Sequence, residues 1–234
     1  MLSPTQLLKR IGVGGGLVPF FKCVCVYFAA GSGIAPSAAA VAAKVAPILC
    51  LLLFVLIHHG PSMHQKPNTA FEGLCYATAR GWYARRIALG LALSAVGDAL
   101  LVFPQRLAGG MAWFAGAHVA YMAAFGWRPR AAALGAALAA ATALFCCQLR
   151  PPAELRVAVP AYSVLLGGMA WRGAARGGTS AAGALLFLLS DAILSYSLFA
   201  GPVPYKQAVV MSTYYLGQLG IAVSVLDHRR IHGH

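Results

Sequence analysis

Two aspartates stand inside otherwise apolar stretches of membrane length: Asp98 in LALSAVGDALLVF and Asp191 in GALLFLLSDAILSYSLF. The chain has only five acidic residues, and the other three (Glu72, Glu154 and Asp227) fall in or beside polar connections. A carboxylate in hydrocarbon is disfavoured by about 2.5–3.5 kcal/mol on insertion scales, so acids placed there mark functional sites by default. Burial favours the protonated form of a carboxyl group and a nearby cation favours the ionised form. A pair held in unequal surroundings therefore supplies an acid and a base. Two uses are open at this point: acid–base hydrolysis of an acid-labile bond in a lipid, or proton coupling in a transporter. A purely structural alternative pairs the two acids with Lys44 and Lys22 to fix helix register.

Helical spacing places companions beside each acid, because residues three and four apart share a face. Ser94 lines the stripe of Asp98, and Ser195 that of Asp191, with Ser190 just before it. Phe114, His118 and Tyr121 follow Asp98 by about twenty residues, and Tyr214, Tyr215 and Gln218 follow Asp191 at a similar distance. Singly, each has a plainer role: the tyrosines as packing aromatics, His118 as a satisfied interior histidine, the serines bonded to their own helices. Together with Lys22 and Lys44 they form a polar set near the midplane or in its non-cytosolic half, drawn from six segments. Such a set predicts an interior cavity. No serine lies in a G-x-S-x-G elbow, which argues against a serine hydrolase.

The elements that must position these groups follow from composition. The 234 residues are 60% hydrophobic and 10% charged, against roughly 25% charged in soluble domains. Spans of about 20 apolar residues cross a bilayer, and breaks in the pattern predict eight: 11–30, 38–59, 84–103, 108–126, 131–148, 155–171, 180–200 and 206–226. The expectation is an all-α membrane protein of one polytopic domain, with a cytosolic loop at 60–83 and a cytosolic tail at 227–234. No alternation suggests a barrel. Lys22 interrupts the first apolar run, which reads as a retained helix and not a cleaved signal. Asp98 and Asp191 fall on spans three and seven, and Pro47 and Pro160 on spans two and six. These correspondences predict two parallel four-helix repeats, as in some transporters.

The net charge of +13 follows the loops and does not form a nucleic-acid patch. Twelve basic residues fall on the side of the termini and four on the other, so the positive-inside rule places both termini in the cytosol. Cys23, Cys25, Cys50, Cys75, Cys146 and Cys147 form no C-x-x-C pair, and His58, His59 and His64 lack metal-ligand spacing. Neither disulfide nor metal is expected.

SAVGDALLVF, GGMAWFAGAHVAYMAAFG, GALLFLLSDAILSYSLF and VVMSTYYLGQLGIAVS, in this order, resemble the signatures of the lysoplasmalogenase family, the YhhN-like eight-helix membrane proteins. VPFFKCVCVYF and KVAPILCLLLF are similar to the vertebrate members. The resemblance implies hydrolysis of the vinyl ether bond of 1-alkenyl lysophospholipids with choline or ethanolamine heads, without a cofactor. It implies Asp98 and Asp191 as the catalytic carboxyl pair, with Lys22, Lys44, Ser94, His118, Tyr121, Ser190, Tyr214 and Gln218 in support. The expected partners are the lysophospholipid substrate and membrane lipid, with no nucleic acid, and an endoplasmic-reticulum location follows from the family. The competing expectation is a proton-coupled transporter of small lipophilic solutes using the same aspartates. The lack of Pro/Gly-broken helix pairs counts against it.

Overall fold

The computed structural model describes residues 4–30, 35–58 and 70–227, and the side chains of 15–30, 35–58 and 81–227. His59, His64 and the rest of 59–69, with the 228–234 part of the expected tail, lie outside the described residues, as does the side chain of Cys75. Every regular element among the described residues is helical. The α-helices are α1 (Pro4–Ala30), α2 (Ala38–His58), α3 (Ala70–Leu101), α4 (Leu107–Phe125), α5 (Ala132–Cys146), α6 (Ala158–Arg176), α7 (Gly178–Phe199) and α8 (Lys206–Asp227). Short 3-10 turns precede α4 and α6.

The helix bounds differ from expectation at α1, which starts at Pro4 and not at 11, at α6, which runs to Arg176 and not to 171, and most of all at α3. α3 starts at Ala70, so 70–83 is helix where a loop was expected. Pro67 is the last proline before it, and the sequence then runs through good helix formers (Ala, Glu, Leu, Arg) with nothing to break the hydrogen-bond ladder.

By length and composition, α2, α7 and α8 are each able to cross a membrane. The other helices fall short of that measure for visible reasons. α3 carries Arg85 and Arg86, α4 carries His118 and three glycines, α5 has 15 residues, and α6 ends in Arg172 and Arg176. The outer surface is nevertheless greasy. On α2, Leu49, Leu53, Leu56 and Ile57 are exposed while Ile48, Leu51, Phe54 and Val55 are buried. A helix apolar on both faces suits lipid on one side and a protein core on the other. The chain is an integral membrane protein.

α3 packs on α4 and α7 on α8; α2 touches α1, α3 and α8, and α6 touches α5, α7 and α4. The α7–α8 contact is made backbone to backbone. A Cβ on Gly183 would sit 2.6 Å from the Ile221 nitrogen and 2.7 Å from the Gly217 oxygen, and one on Gly217 would sit 2.9 Å from the Phe187 nitrogen. Small residues at such seams let membrane helices approach and gain dispersion contacts in place of a hydrophobic driving force. At one end of this pair, Asp227 at the close of α8 accepts bonds from the Thr179 backbone N–H (2.8 Å) and hydroxyl (2.6 Å), capping the start of α7.

Because backbone cannot yield as a side chain can, Gly183→Ala is expected to lower stability by about 1–3 kcal/mol. Gly15→Ala, with nothing within 4 Å, is expected to be neutral or stabilising. Thermal unfolding of the two variants in the same detergent checks the contrast.

Candidate active site

A cavity of about 460 Å³ opens at one end of the bundle, lined where α1, α3 and α7 finish and α2, α4, α6 and α8 begin. Asp98 and Asp191 both line it, with Lys44, Tyr162, Ser190 and Tyr214.

Asp98 comes from the last turns of α3 and is buried. Its Oδ1 lies 3.4 Å from the Lys44 Nζ of α2, and its Oδ2 accepts the Tyr214 O–H from α8 at 2.5 Å. Tyr214 is itself held by a directed chain. The Tyr121 O–H of α4 donates to Gln218 Oε1 at 2.7 Å, and Gln218 Nε2 donates to the Tyr214 oxygen at 3.2 Å. Gln218 thus accepts from one phenol and donates to the next, which orients its amide. Ser94, one turn before Asp98, is buried with its hydroxyl unpartnered among the described residues.

Asp191 sits midway along α7 with a different set of neighbours. Its Oδ2 accepts the Tyr162 O–H from α6, and the His118 Nε2 of α4 is 4.0 Å away. His118 Nε2 also lies 3.0 Å from the Tyr162 oxygen. A phenol has one hydrogen, and Tyr162 gives it to Asp191, so the imidazole must donate to the phenol oxygen from Nε2. Nδ1 is then the bare acceptor nitrogen, and it is buried without a hydrogen-bond partner. An N–H there would be an unmet donor, more costly than a lone pair. Ser190 turns away from the acids and donates to the Val210 carbonyl of α8 at 2.8 Å.

The expected residues therefore separate into tiers. Asp98, Asp191, Lys44, Tyr214 and Ser190 reach the cavity wall, while Ser94, Tyr121, His118 and Gln218 are buried outside its lining. Lys22 does not join them. It is exposed on α1, whose buried and cavity-lining residues are Phe20 and Tyr27. At 100° per residue it lies well off their stripe. Of the two ion pairs in the structural alternative, only Lys44–Asp98 forms. Sequence spacing missed Tyr162, which reads as a packing aromatic in VPAYSVLL because its partners lie on α4 and α7. It also missed Tyr27, Lys206 and Gln207, which with Ser195 complete the polar lining.

The cavity is a largely apolar chamber holding two carboxyl groups, one beside an ammonium and the other beside a phenol backed by an imidazole. Residues 39–225 match the YhhN family. The chain belongs to this family. It is 38% identical over 226 residues to lysoplasmalogenase TMEM86B of Sus scrofa, covering 95% of this chain and 92% of that one. Lysoplasmalogenase TMEM86A of Homo sapiens is 36% identical over 245 residues, covering 98% and 95%. Lysoplasmalogenase TMEM86B of Homo sapiens is 38% identical over 225 residues, covering 93% and 89%. No solved structure matches the chain. The family match spans both acids and every companion described above except Tyr27.

Removing one partner of a buried ion pair leaves the other charge uncompensated, typically at 3–5 kcal/mol. Lys44→Met is expected to lower the unfolding temperature in detergent. Lys44→Met with Asp98→Asn is expected to recover most of the loss, so the pair shows strong coupling in a double-mutant cycle.

Proposed function

We propose that this chain is a lysoplasmalogenase, hydrolysing the vinyl ether of 1-alkenyl lysophospholipids to a fatty aldehyde and a glycerophospho-alcohol. One observation carries the reading: two carboxyl groups with unequal partners face one apolar cavity. The lysoplasmalogenase relatives, similar over nearly the whole chain, supply the reaction class.

The Lys44 ammonium assigns the negative charge to Asp98. Asp191, with a phenol and an imidazole and no ammonium against it, is the proton donor, and its Oδ1 is the oxygen left for the substrate. An enol ether is protonated at its β-carbon, and the electron pair on oxygen then forms an oxocarbenium ion. Asp98 stabilises that cation electrostatically. Water adds to the cationic carbon and gives a proton to Asp191, which restores the acid and yields a hemiacetal. The hemiacetal collapses as its hydroxyl proton passes to the departing glyceryl oxygen, leaving the aldehyde. Tyr162 and Tyr214 hold the carboxyl groups in place, with His118 behind the first and Gln218 and Tyr121 behind the second. Glycosidases use paired carboxyls against a related cation; the parallel is chemical.

The finer architecture belongs to the same proposal. Eight crossings with both termini cytosolic fit the charge pattern. Arg85, Arg86, Arg128, Arg130, Arg172 and Arg176 gather away from the cavity mouth, and Arg106, Arg150, Arg156 and Lys206 lie at its end. The positive-inside rule then turns the mouth away from the cytosol, and an endoplasmic-reticulum membrane suits the family. Two parallel repeats fit the neighbour pattern, since the packing of α2 on α1, α3 and α8 is mirrored by that of α6 on α5, α7 and α4. Each acid is then held by the second helix of its own unit and the fourth helix of the other.

That same pattern favours a second reading, a proton-coupled transporter. Purified protein in micelles separates them, because an enzyme turns over there while a transporter needs two compartments. Aldehyde release from lysoplasmenylethanolamine is expected in micelles. Asp98→Asn and Asp191→Asn are each expected to abolish it in folded protein, and Tyr162→Phe to lower kcat on the order of tenfold or more. Full activity in either Asn variant removes that acid from the mechanism.

A further inference from the structure

The cavity wall is divided by chemistry. Leu101, Phe103, Leu107, Leu194, Leu198 and Phe199 form an apolar side from α3, α4, the link between them and α7. On the α1 and α8 side stand Tyr27, Lys206 and Gln207, close to the mouth. The Gln207 Nε2 donates to the Tyr27 oxygen at 2.6 Å. That bond uses the phenol as an acceptor, so the Tyr27 O–H remains a donor. The second amide hydrogen of Gln207 and the Lys206 ammonium add to it. Donors therefore gather at the mouth, and the only acidic side chains lining the cavity are Asp98 and Asp191, farther in.

We propose that Lys206, Gln207 and Tyr27 form the subsite for the phosphodiester of the bound lysolipid, with the alkenyl chain laid along the apolar side. This rests on the lysoplasmalogenase reading and assigns it a binding locus. The spacing agrees. Lys206 precedes Tyr214, which touches Asp98, by about two turns of α8, or ~12 Å. Extended covalent geometry separates the reacting ether carbon from phosphorus by roughly 7 Å, and the lysine side chain spans the remainder. A cation with two neutral donors matches a phosphate that accepts at several oxygens. A choline or ethanolamine ammonium meets no carboxylate at the mouth, so recognition falls on the phosphate that both heads share.

The test compares two substrates on the purified full chain in neutral micelles: lysoplasmenylethanolamine and the phosphate-free 1-alkenylglycerol. Lys206→Gln is expected to raise KM for the phospholipid on the order of tenfold, with kcat nearly unchanged, and to leave KM for the alkenylglycerol as it was. Tyr27→Phe is expected to act in the same direction more weakly, and Lys206→Arg to restore binding. Equal KM changes on both substrates, or none on either, would overturn the subsite while leaving the enzyme reading intact. If the unaltered chain cleaves neither substrate, the enzyme reading itself has failed.

Discussion

The arrangement depends on meeting the oxygens of two carboxyl groups inside an apolar bundle. Each acid needs donors aimed at its oxygens, and in an all-helical bundle those donors must come from other helices. Asp98 takes Lys44 from α2 and Tyr214 from α8. Asp191 takes Tyr162 from α6, which is in turn bonded by His118 of α4. Six of the eight α-helices thus have their relative rotation fixed by polar contacts that would be costly to leave unmet. The apolar packing around them is permissive by comparison, since many combinations of Leu, Phe and Ala fill the same space.

The inequality of the two acids is where structure becomes chemistry. A symmetric pair would share a charge and a proton interchangeably. Here α2 sets an ammonium against Asp98 and α6 a phenol against Asp191, so the two carboxyl groups have unequal surroundings. A cavity open at one end and greasy along one wall then suits a reactant that is itself half polar and half hydrocarbon.

Much of the site is legible in the sequence because acids, His and Lys in apolar runs are rare enough to stand out. Asp98, Asp191, Lys44 and His118 are visible on that ground, and Tyr214 and Gln218 through their helical spacing. Tyr162 is not visible, since an aromatic in an apolar helix is ordinary and its function depends on partners far along the chain. Lys22 shows the converse error. Its type stood out, but its phase on α1, set against Phe20 and Tyr27, turns it outward. The start of α3 is hidden because its polarity reads as a loop, although no proline after Pro67 stops a helix there.

The glycine seam between α7 and α8 has a mechanical meaning. Backbones in contact at Gly183 and Gly217 make those two helices one stiff blade. α3 and α4 make a second, where a Cβ on Gly97 would meet the Phe114 ring at 2.7 Å. Asp98 rides on one blade and Asp191 on the other. The Asp98–Tyr214 bond crosses the gap directly, and Asp191 reaches His118 across it through Tyr162. The blades are therefore latched together by the same bonds that hold the two carboxyl groups. Parting the blades would break both links at once, so the surroundings of the two carboxyl groups change together or not at all.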